Sequence, residues 1–218
     1  MDTTPTIATL IGATGLIGSH LLQQLCADAG FGEIRVVVRR FFPSPDPKIK
    51  VIELDFSDYN ALKNAIAGSD SVFCAVGTTR SQTPDLLQYR KVDVDIPVHT
   101  AKACAEAGVR CFQLVSSVGA NANSRNFYLQ MKGEVEEEVS KLNISSKNVF
   151  RPSLLLGERS KPRLAEKIAA ALMRPFNFLI PDTQKPIEAA NVAKAMIQAS
   201  KRQAPGMNIY HYREMMSV

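Results

Sequence analysis

Leu10-Ile11-Gly12-Ala13-Thr14-Gly15-Leu16-Ile17-Gly18 is the stretch on which the reading of this chain turns. Residues 6–11, just before it, form a short β-rich run, and Ile17, Leu21, Leu22 and Leu25 after it recur at helical spacing. The glycines therefore fall where a first strand turns into a first helix, the context that makes a glycine pattern a dinucleotide-binding expectation. Gly12 permits the tight turn, Gly15 lets the backbone approach a pyrophosphate, and Gly18 lets the helix pack close to the sheet. The helix N-terminus adds free N–H groups and the positive end of its dipole. The spacing is G-x-x-G-x-x-G rather than G-x-G-x-x-G, so the flanking strand and helix carry as much weight as the glycines.

Downstream, strand and helix alternate. Strands are expected at residues 33–38, 51–54, 71–76, 109–115 and 146–150. The proline-rich segment 41–50 reads as a loop, Asp58 as a helix N-cap, and 84–107 as a long helix with a break near Pro97. Residues 126–142 read as a helix with an apolar stripe of Phe127, Met131, Val135 and Val139. In the last third, helices are expected at 162–173 and 188–201, a loop at 176–186 and a strand at 207–212. This order implies an α/β, Rossmann-type doubly wound parallel sheet. Residues 1–218 read as one domain, with about 151–218 completing the substrate side at the C-terminal edge of the sheet.

The 218 residues suffice for one well-buried core. Residues 1–6 are polar and lack a signal peptide's apolar region, and no apolar run approaches the ~20 residues of a membrane span, so the expectation is a soluble cytoplasmic protein. Cys26, Cys74, Cys104 and Cys111 form no C-x-x-C pair and no His stands at ligand spacing; no metal site is expected, and the four read as reduced, buried thiols. The net charge of +5 is concentrated in residues 151–218, which hold 11 basic and 5 acidic residues. This excess reads as a solvated face, and no nucleic-acid motif accompanies it.

Tyr128 and Lys132 stand four apart on one predicted helix and so share a face. A lysine ammonium favours a neighbouring phenolate, which lets a tyrosine exchange a proton with a substrate hydroxyl or carbonyl. Ser116 and Ser117 end the preceding strand, where a hydroxyl can bond the same oxygen. A second pair with this spacing, Tyr59 and Lys63, lies on a helix with no serine pair nearby and reads as an exposed helix face.

The chain resembles the atypical short-chain dehydrogenases/reductases, and within them the Tat-interacting-protein-like oxidoreductase group. The resemblance rests on Gly12 to Gly18, on Gly77-Thr78-Thr79-Arg80, on Leu114 to Ala120, on Tyr128-Leu129-Gln130-Met131-Lys132-Gly133-Glu134-Val135-Glu136, and on Phe150-Arg151-Pro152. It implies that Ser117, Tyr128 and Lys132 are catalytic and that Tyr128 and Lys132 also line the cofactor, Lys132 at the nicotinamide ribose. It implies further cofactor contacts from Gly12, Thr14, Gly15, Leu16, Ile17 and Gly18, from Asp55 and Phe56 at the adenine, and from Ala75, Val76 and Gly77. Pro152, Leu154 and Leu155 would lie beside the nicotinamide. Where many members carry an Asn whose water-mediated link reaches the catalytic lysine, this chain has Asp93, whose charge would stabilise the Lys132 ammonium and change the proton relay.

The cofactor preference has a direct physical basis. NAD sites place an acid at the end of the second strand to bind the ribose 2′-OH. Here that place holds Arg39 and Arg40, which would pair with a 2′-phosphate, so NADP(H) is expected. The resulting expectation is an NADPH-dependent oxidoreductase acting on a small-molecule carbonyl substrate. The alternative is an NADP(H)-binding, redox-responsive regulator that works through a protein partner.

Overall fold

The computed structural model describes residues 5–157 and 184–217. The helix expected at 162–173 and most of the loop expected at 176–186 lie outside them. Strand β1 (Thr6–Ile11) leads through the glycine turn into α1 (Leu16–Ala27), and then into β2 (Phe31–Val38) and β3 (Ile49–Glu53). Next come α2 (Tyr59–Ile66), β4 (Ser71–Cys74) and α3 (Leu86–Arg90), a π-helical turn (Lys91–Asp95) and α4 (Ile96–Glu106). They are followed by β5 (Cys111–Val115), α5 (Phe127–Ser140), β6 (Ser146–Phe150) and a short β7 (Leu155–Leu156). The described chain closes with β8 (Ile187–Glu188), α6 (Ala189–Arg202), β9 (Gly206–Tyr210) and α7 (Tyr212–Met216).

The main sheet has seven parallel strands in the order β3-β2-β1-β4-β5-β6-β9, as the alternating pattern predicts for a Rossmann-type fold. Side chains alternate across it. Leu10, Ile34, Val36, Phe73 and Phe150 pack toward α1 and α6, with Leu21, Leu25 and Met196. Ile11, Val37, Val72, Phe112 and Leu114 pack toward the opposite helices, with Leu62, Ile66, Met131 and Val135. Both faces are thus covered, which is why the strands read as near-continuous apolar runs. β1 has β2 on one side and β4 on the other, so the chain order reverses beside β1, and the crevice there is the usual ligand position of an open α/β sheet.

Phe127 and Cys26 depart from the sequence expectation, and the expected break near Pro97 takes a particular form. Phe127, placed in the apolar stripe of α5, is 37% exposed, whereas Met131, Val135 and Val139 are buried; Phe127 starts the helix and lies against the Tyr89 ring, 6.2 Å between centroids. Cys26 is only half-buried beside Asp46 and Lys48, while Cys74, Cys104 and Cys111 are buried; all four are free. The break near Pro97 takes the form of the π-helical turn, in which the Ile96 N–H reaches back to the Lys91 carbonyl. Proline lacks an N–H and clashes with the carbonyl four residues earlier, here that of Asp93, and a widened turn relieves both problems.

Candidate active site

The glycine turn brings two strand ends together. Gly12 has φ +93°, and a Cβ there would stand 2.7 Å from the Ala75 carbonyl carbon, so only glycine lets the turn after β1 pass the end of β4. A Cβ on Gly18 would stand 2.0 Å from the Gly12 carbonyl oxygen, so Gly18 sets how closely α1 approaches the turn. Gly15 is the N-cap of α1; no side chain caps the helix and no acid stands in its first turn. Gly15 lines the crevice, and the positive dipole end of α1 is uncompensated there, which suits an anion.

The crevice is a cleft of about 780 Å³. Of the predicted cofactor residues, Gly12, Thr14, Gly15, Arg39, Arg40, Phe56, Ala75, Val76 and Gly77 line it. Arg39 and Arg40 follow β2 and are exposed at one end, near the half-buried Phe56. Leu16, Ile17, Gly18 and Asp55 are not in its wall. Ile17 is buried in the core, and Asp55 is exposed and accepts the Ser57 N–H at 2.9 Å, which lowers its carboxyl from the ordinary range. Pro152, Leu154 and Leu155 also lie outside the cleft wall, on the segment after β6. There Pro152 is buried, its carbonyl accepts the Val118 N–H at 3.0 Å, and the Leu154 carbonyl accepts the Ile187 N–H at 3.0 Å.

The other end of the cleft meets the catalytic candidates. Gly77 and Thr78 line it, and a Cβ built on Gly77 would stand 3.6 Å from Asp93 Oδ1 and 4.0 Å from Lys132 Nζ. Lys132 Nζ lies 2.9 Å from Asp93 Oδ1 in an ion pair whose side chains are 6% and 1% exposed. The Thr78 N–H donates to Asp93 Oδ2 at 2.8 Å. Lys132 Nζ is also 5.8 Å from the centre of the Tyr128 ring, which is 37% exposed. Burial disfavours the Lys132 ammonium, but its neighbours, the charge of Asp93 first among them, outweigh it and hold its pKa above the ordinary lysine value. The helix that carries both residues starts at Asn126, whose side chain accepts the Tyr128 and Leu129 N–H groups at 3.0 and 3.2 Å.

Two serines end β5, and the structure separates them. Ser116 is buried and donates to Glu136, which Arg151 grips through Nε at 3.0 Å and through a second guanidinium nitrogen. Ser117 is half-buried, with its hydroxyl 3.3 Å from the Val118 carbonyl. Gly133 lets this loop close on α5, since a Cβ there would stand 2.1 Å from the Ala122 nitrogen. The Glu136–Arg151 bridge was missed at the sequence level, although Tyr128, Lys132 and Glu136 follow one another at intervals of four.

Tyr59 and Lys63 prove to be tied down rather than simply exposed. Tyr59 donates to Glu106 at 2.8 Å, Lys63 pairs with the same carboxylate at 2.8 Å, and together they join α2 to α4. Burial, then the Glu106 hydrogen bond, pushes the Tyr59 phenol up to about 12, the wrong direction for a proton-transfer residue. Tyr59→Phe is therefore expected to leave NADPH affinity and turnover unchanged and to cost at most about 1 kcal/mol of stability. Parallel binding titration, rate measurement and thermal melts check this.

An NAD(P)H-binding family model matches residues 12–155, which include the glycine turn, the cleft wall and α5. The chain belongs to the NAD(P)H-binding family. Over 95% of its length, this NAD(P)H-binding protein is 32% identical to Protein FMP52-1, mitochondrial, of Scheffersomyces stipitis, covering 96% of that relative. It is 34% identical to Protein FMP52, mitochondrial, of Debaryomyces hansenii, over 87% of this chain and 85% of that one. Among solved structures it superposes on the Bordetella bronchiseptica enzyme WbmH in complex with NAD+, with a TM-score of 0.72, 14% identity and coverage of 95% and 76% of the two chains. That likeness shows the Rossmann-like fold. The relatives' names overturn one expectation. They are named as mitochondrial proteins, so the cytoplasmic assignment, drawn from a polar N-terminus and the lack of a long apolar run, does not stand.

Proposed function

We propose that this NAD(P)H-binding protein is an NADPH-dependent reductase of a small carbonyl compound, with Ser117, Tyr128 and Lys132 as its catalytic residues. The observation that carries the proposal is the convergence at Gly77, where the cleft ends against the Lys132–Asp93 pair beside Tyr128. The cleft fits a dinucleotide. Its glycines admit backbone where a Cβ would collide, α1 offers an uncapped N-terminus, and two guanidiniums stand at the far end. When bound, the reduced nicotinamide would supply one proton with two electrons to the substrate carbon.

The chain's own residues would then divide the work. The Gly12–Gly15 turn and the first turn of α1 would hold the pyrophosphate, and Phe56 the adenine. Lys132 would orient the ribose near Tyr128. Tyr128 would donate its proton to the substrate oxygen, while the Ser117 hydroxyl holds that oxygen in place. Ser116, bonded to Glu136, would steady the loop rather than act on substrate. On this reading the C-terminal third belongs to the same domain and completes the substrate side.

The preference for NADPH rests on Arg39 and Arg40. Charge-assisted hydrogen bonds contribute about 1.5–3 kcal/mol, so NADPH is expected to bind roughly 10–150 times more tightly than NADH. Arg39→Ala should lose most of this difference while leaving NADH affinity unchanged. Calorimetric titration with both dinucleotides checks it, and equal affinities in the wild type would remove the basis for the preference.

A second reading follows from the engagement of Lys132 by Asp93. The chain's similarity to the Tat-interacting-protein-like group fits an NADP(H)-responsive regulator acting through a protein partner, with little turnover. NADPH consumption across a panel of aldehydes and ketones separates the two.

A further inference from the structure

Asp93 is nearly inaccessible, at 1% exposure, and both its oxygens are engaged: one by Lys132 Nζ at 2.9 Å, the other by the Thr78 N–H at 2.8 Å. Its position follows from the chain itself. Pro97 prevents a regular α-helical turn, and the π-helical turn at Lys91–Asp95 carries Asp93 at its centre, buried beside α5. The backbone thus places the carboxylate, and a main-chain N–H holds the oxygen that does not face Lys132.

The other ionisable groups near this pair come from three elements. Tyr89 comes from α3, Cys74 from the end of β4, and Tyr128 from α5. Burial, first of all, pushes Tyr89 up to about 12 and Cys74 up to about 11, so neither is charged at neutral pH. Arg80, after β4, acts on Tyr89. On α5, Glu134 is paired with Arg90 at 2.6 Å, and Glu136 with Arg151. Among the described residues, the charge in contact with Lys132 is therefore that of Asp93.

We propose that Asp93 is a positioning and tuning residue that cancels the charge Lys132 presents to Tyr128, and so biases the site toward reducing a carbonyl rather than oxidising an alcohol. This rests on the reductase reading above. A free lysine ammonium beside a phenol favours tyrosinate, the base needed to take a proton from an alcohol. An ammonium already matched by a fixed carboxylate does so far less, and the phenol stays available as a donor. In the reductive direction the Tyr128 O–H bond would break and its proton join the carbonyl oxygen, while a bound reduced dinucleotide would supply the carbon with one proton and two electrons. Water then returns a proton to the tyrosinate. In the oxidative direction each transfer is reversed and tyrosinate must be present at the start.

The test is Asp93→Asn, which keeps an oxygen to accept the Thr78 N–H and removes the charge. Removing the carboxylate unmasks the Lys132 ammonium 5.8 Å from the Tyr128 ring, and an opposite charge at that range shifts a titration by about 1–3 units, so the pH at which reductive turnover declines should fall by up to about that much. The onset of alcohol oxidation should move down with it, and Asp93→Glu should restore the wild-type profile. A second readout needs no substrate. The ultraviolet tyrosinate signal of Tyr128, isolated by subtracting the Tyr128→Phe counterpart, should appear at lower pH in Asp93→Asn than in wild type. A downward shift in that signal without carbonyl reduction would support the tuning and reject the reductase reading. A signal that stays in place or moves upward would overturn the tuning, whether or not turnover is found. If Asp93→Asn fails to fold, Asp93→Ser gives the same readout without the charge.

Discussion

Lys132→Met is expected to lower the melting temperature of the cofactor-free protein by about 6–20 °C, corresponding to a loss of about 3–5 kcal/mol. The magnitude follows from what remains behind. Asp93 is 1% exposed and would be left in the interior without the ammonium that lies 2.9 Å from it. Removing one partner of a buried pair costs much more than the intact pair contributes. The same substitution should weaken NADPH binding and reduce turnover, because Lys132 stands at the end of the cleft beside Gly77. The pH dependence has a definite sign. Although burial opposes it, Asp93 raises the folded-state value of Lys132 above its ordinary one. The stabilisation is therefore fully present below the ordinary lysine range and fades as pH rises through the folded value. Adding Asp93→Asn to Lys132→Met should recover part of the loss, since it removes the stranded charge. Thermal melts of the two single variants and the double variant check the set. A Lys132→Met protein that melts with the wild type would show that the ion pair does not hold this region.

Tyr128→Phe should reduce turnover by about 10²–10⁴-fold, the usual contribution of a positioned general acid. The ring is kept, so its contact with Lys132 at 5.8 Å survives and only the proton donor is lost. NADPH affinity should change little, because the residues proposed to hold its phosphates and adenine lie along the cleft near Gly15, Arg39 and Phe56. Stability should change little as well, since the side chain is 37% exposed. Single-turnover rates at saturating NADPH, alongside a binding titration, separate these effects. Wild-type turnover in this variant, on a confirmed substrate, would mean that another group donates the proton.

The features legible in the sequence are those that local chemistry fixes. The bounds of β1 were readable because its β-branched run ends at Gly12, and the end of β6 because Val149-Phe150 is followed by Arg151-Pro152. The Asp58 cap was readable because its carboxylate has one local use, accepting the Ala61 N–H at 2.9 Å. The glycine turn was readable because few other local contexts ask for three glycines between a strand and a helix. What escaped depends on contacts between distant segments. β2 begins at Phe31, before the expected Glu33, because pairing with β1 carries the strand through Gly32. The spacing places Lys132 on the face of Tyr128 but does not show that it is buried, because Asp93 comes from another helix to receive it. Pro97 signalled a break in its helix, but periodicity alone cannot show that the break takes the form of a π-helical turn aimed at Lys132. The strands β7 and β8 are two residues each, too short for any alternation to be seen. Tyr59 reads as part of an exposed helix face because its partner, Glu106, lies 47 residues away on another helix.

The central claim is that the cleft and the Tyr128–Lys132 helix form one reductive site. Stopped-flow monitoring of NADPH consumption by the wild-type protein, against a broad panel of small aldehydes and ketones, tests it most directly. The account predicts that at least one carbonyl class consumes NADPH in a single turnover, with little consumption in Tyr128→Phe. NADPH that binds tightly yet remains unconsumed across the whole panel would contradict it.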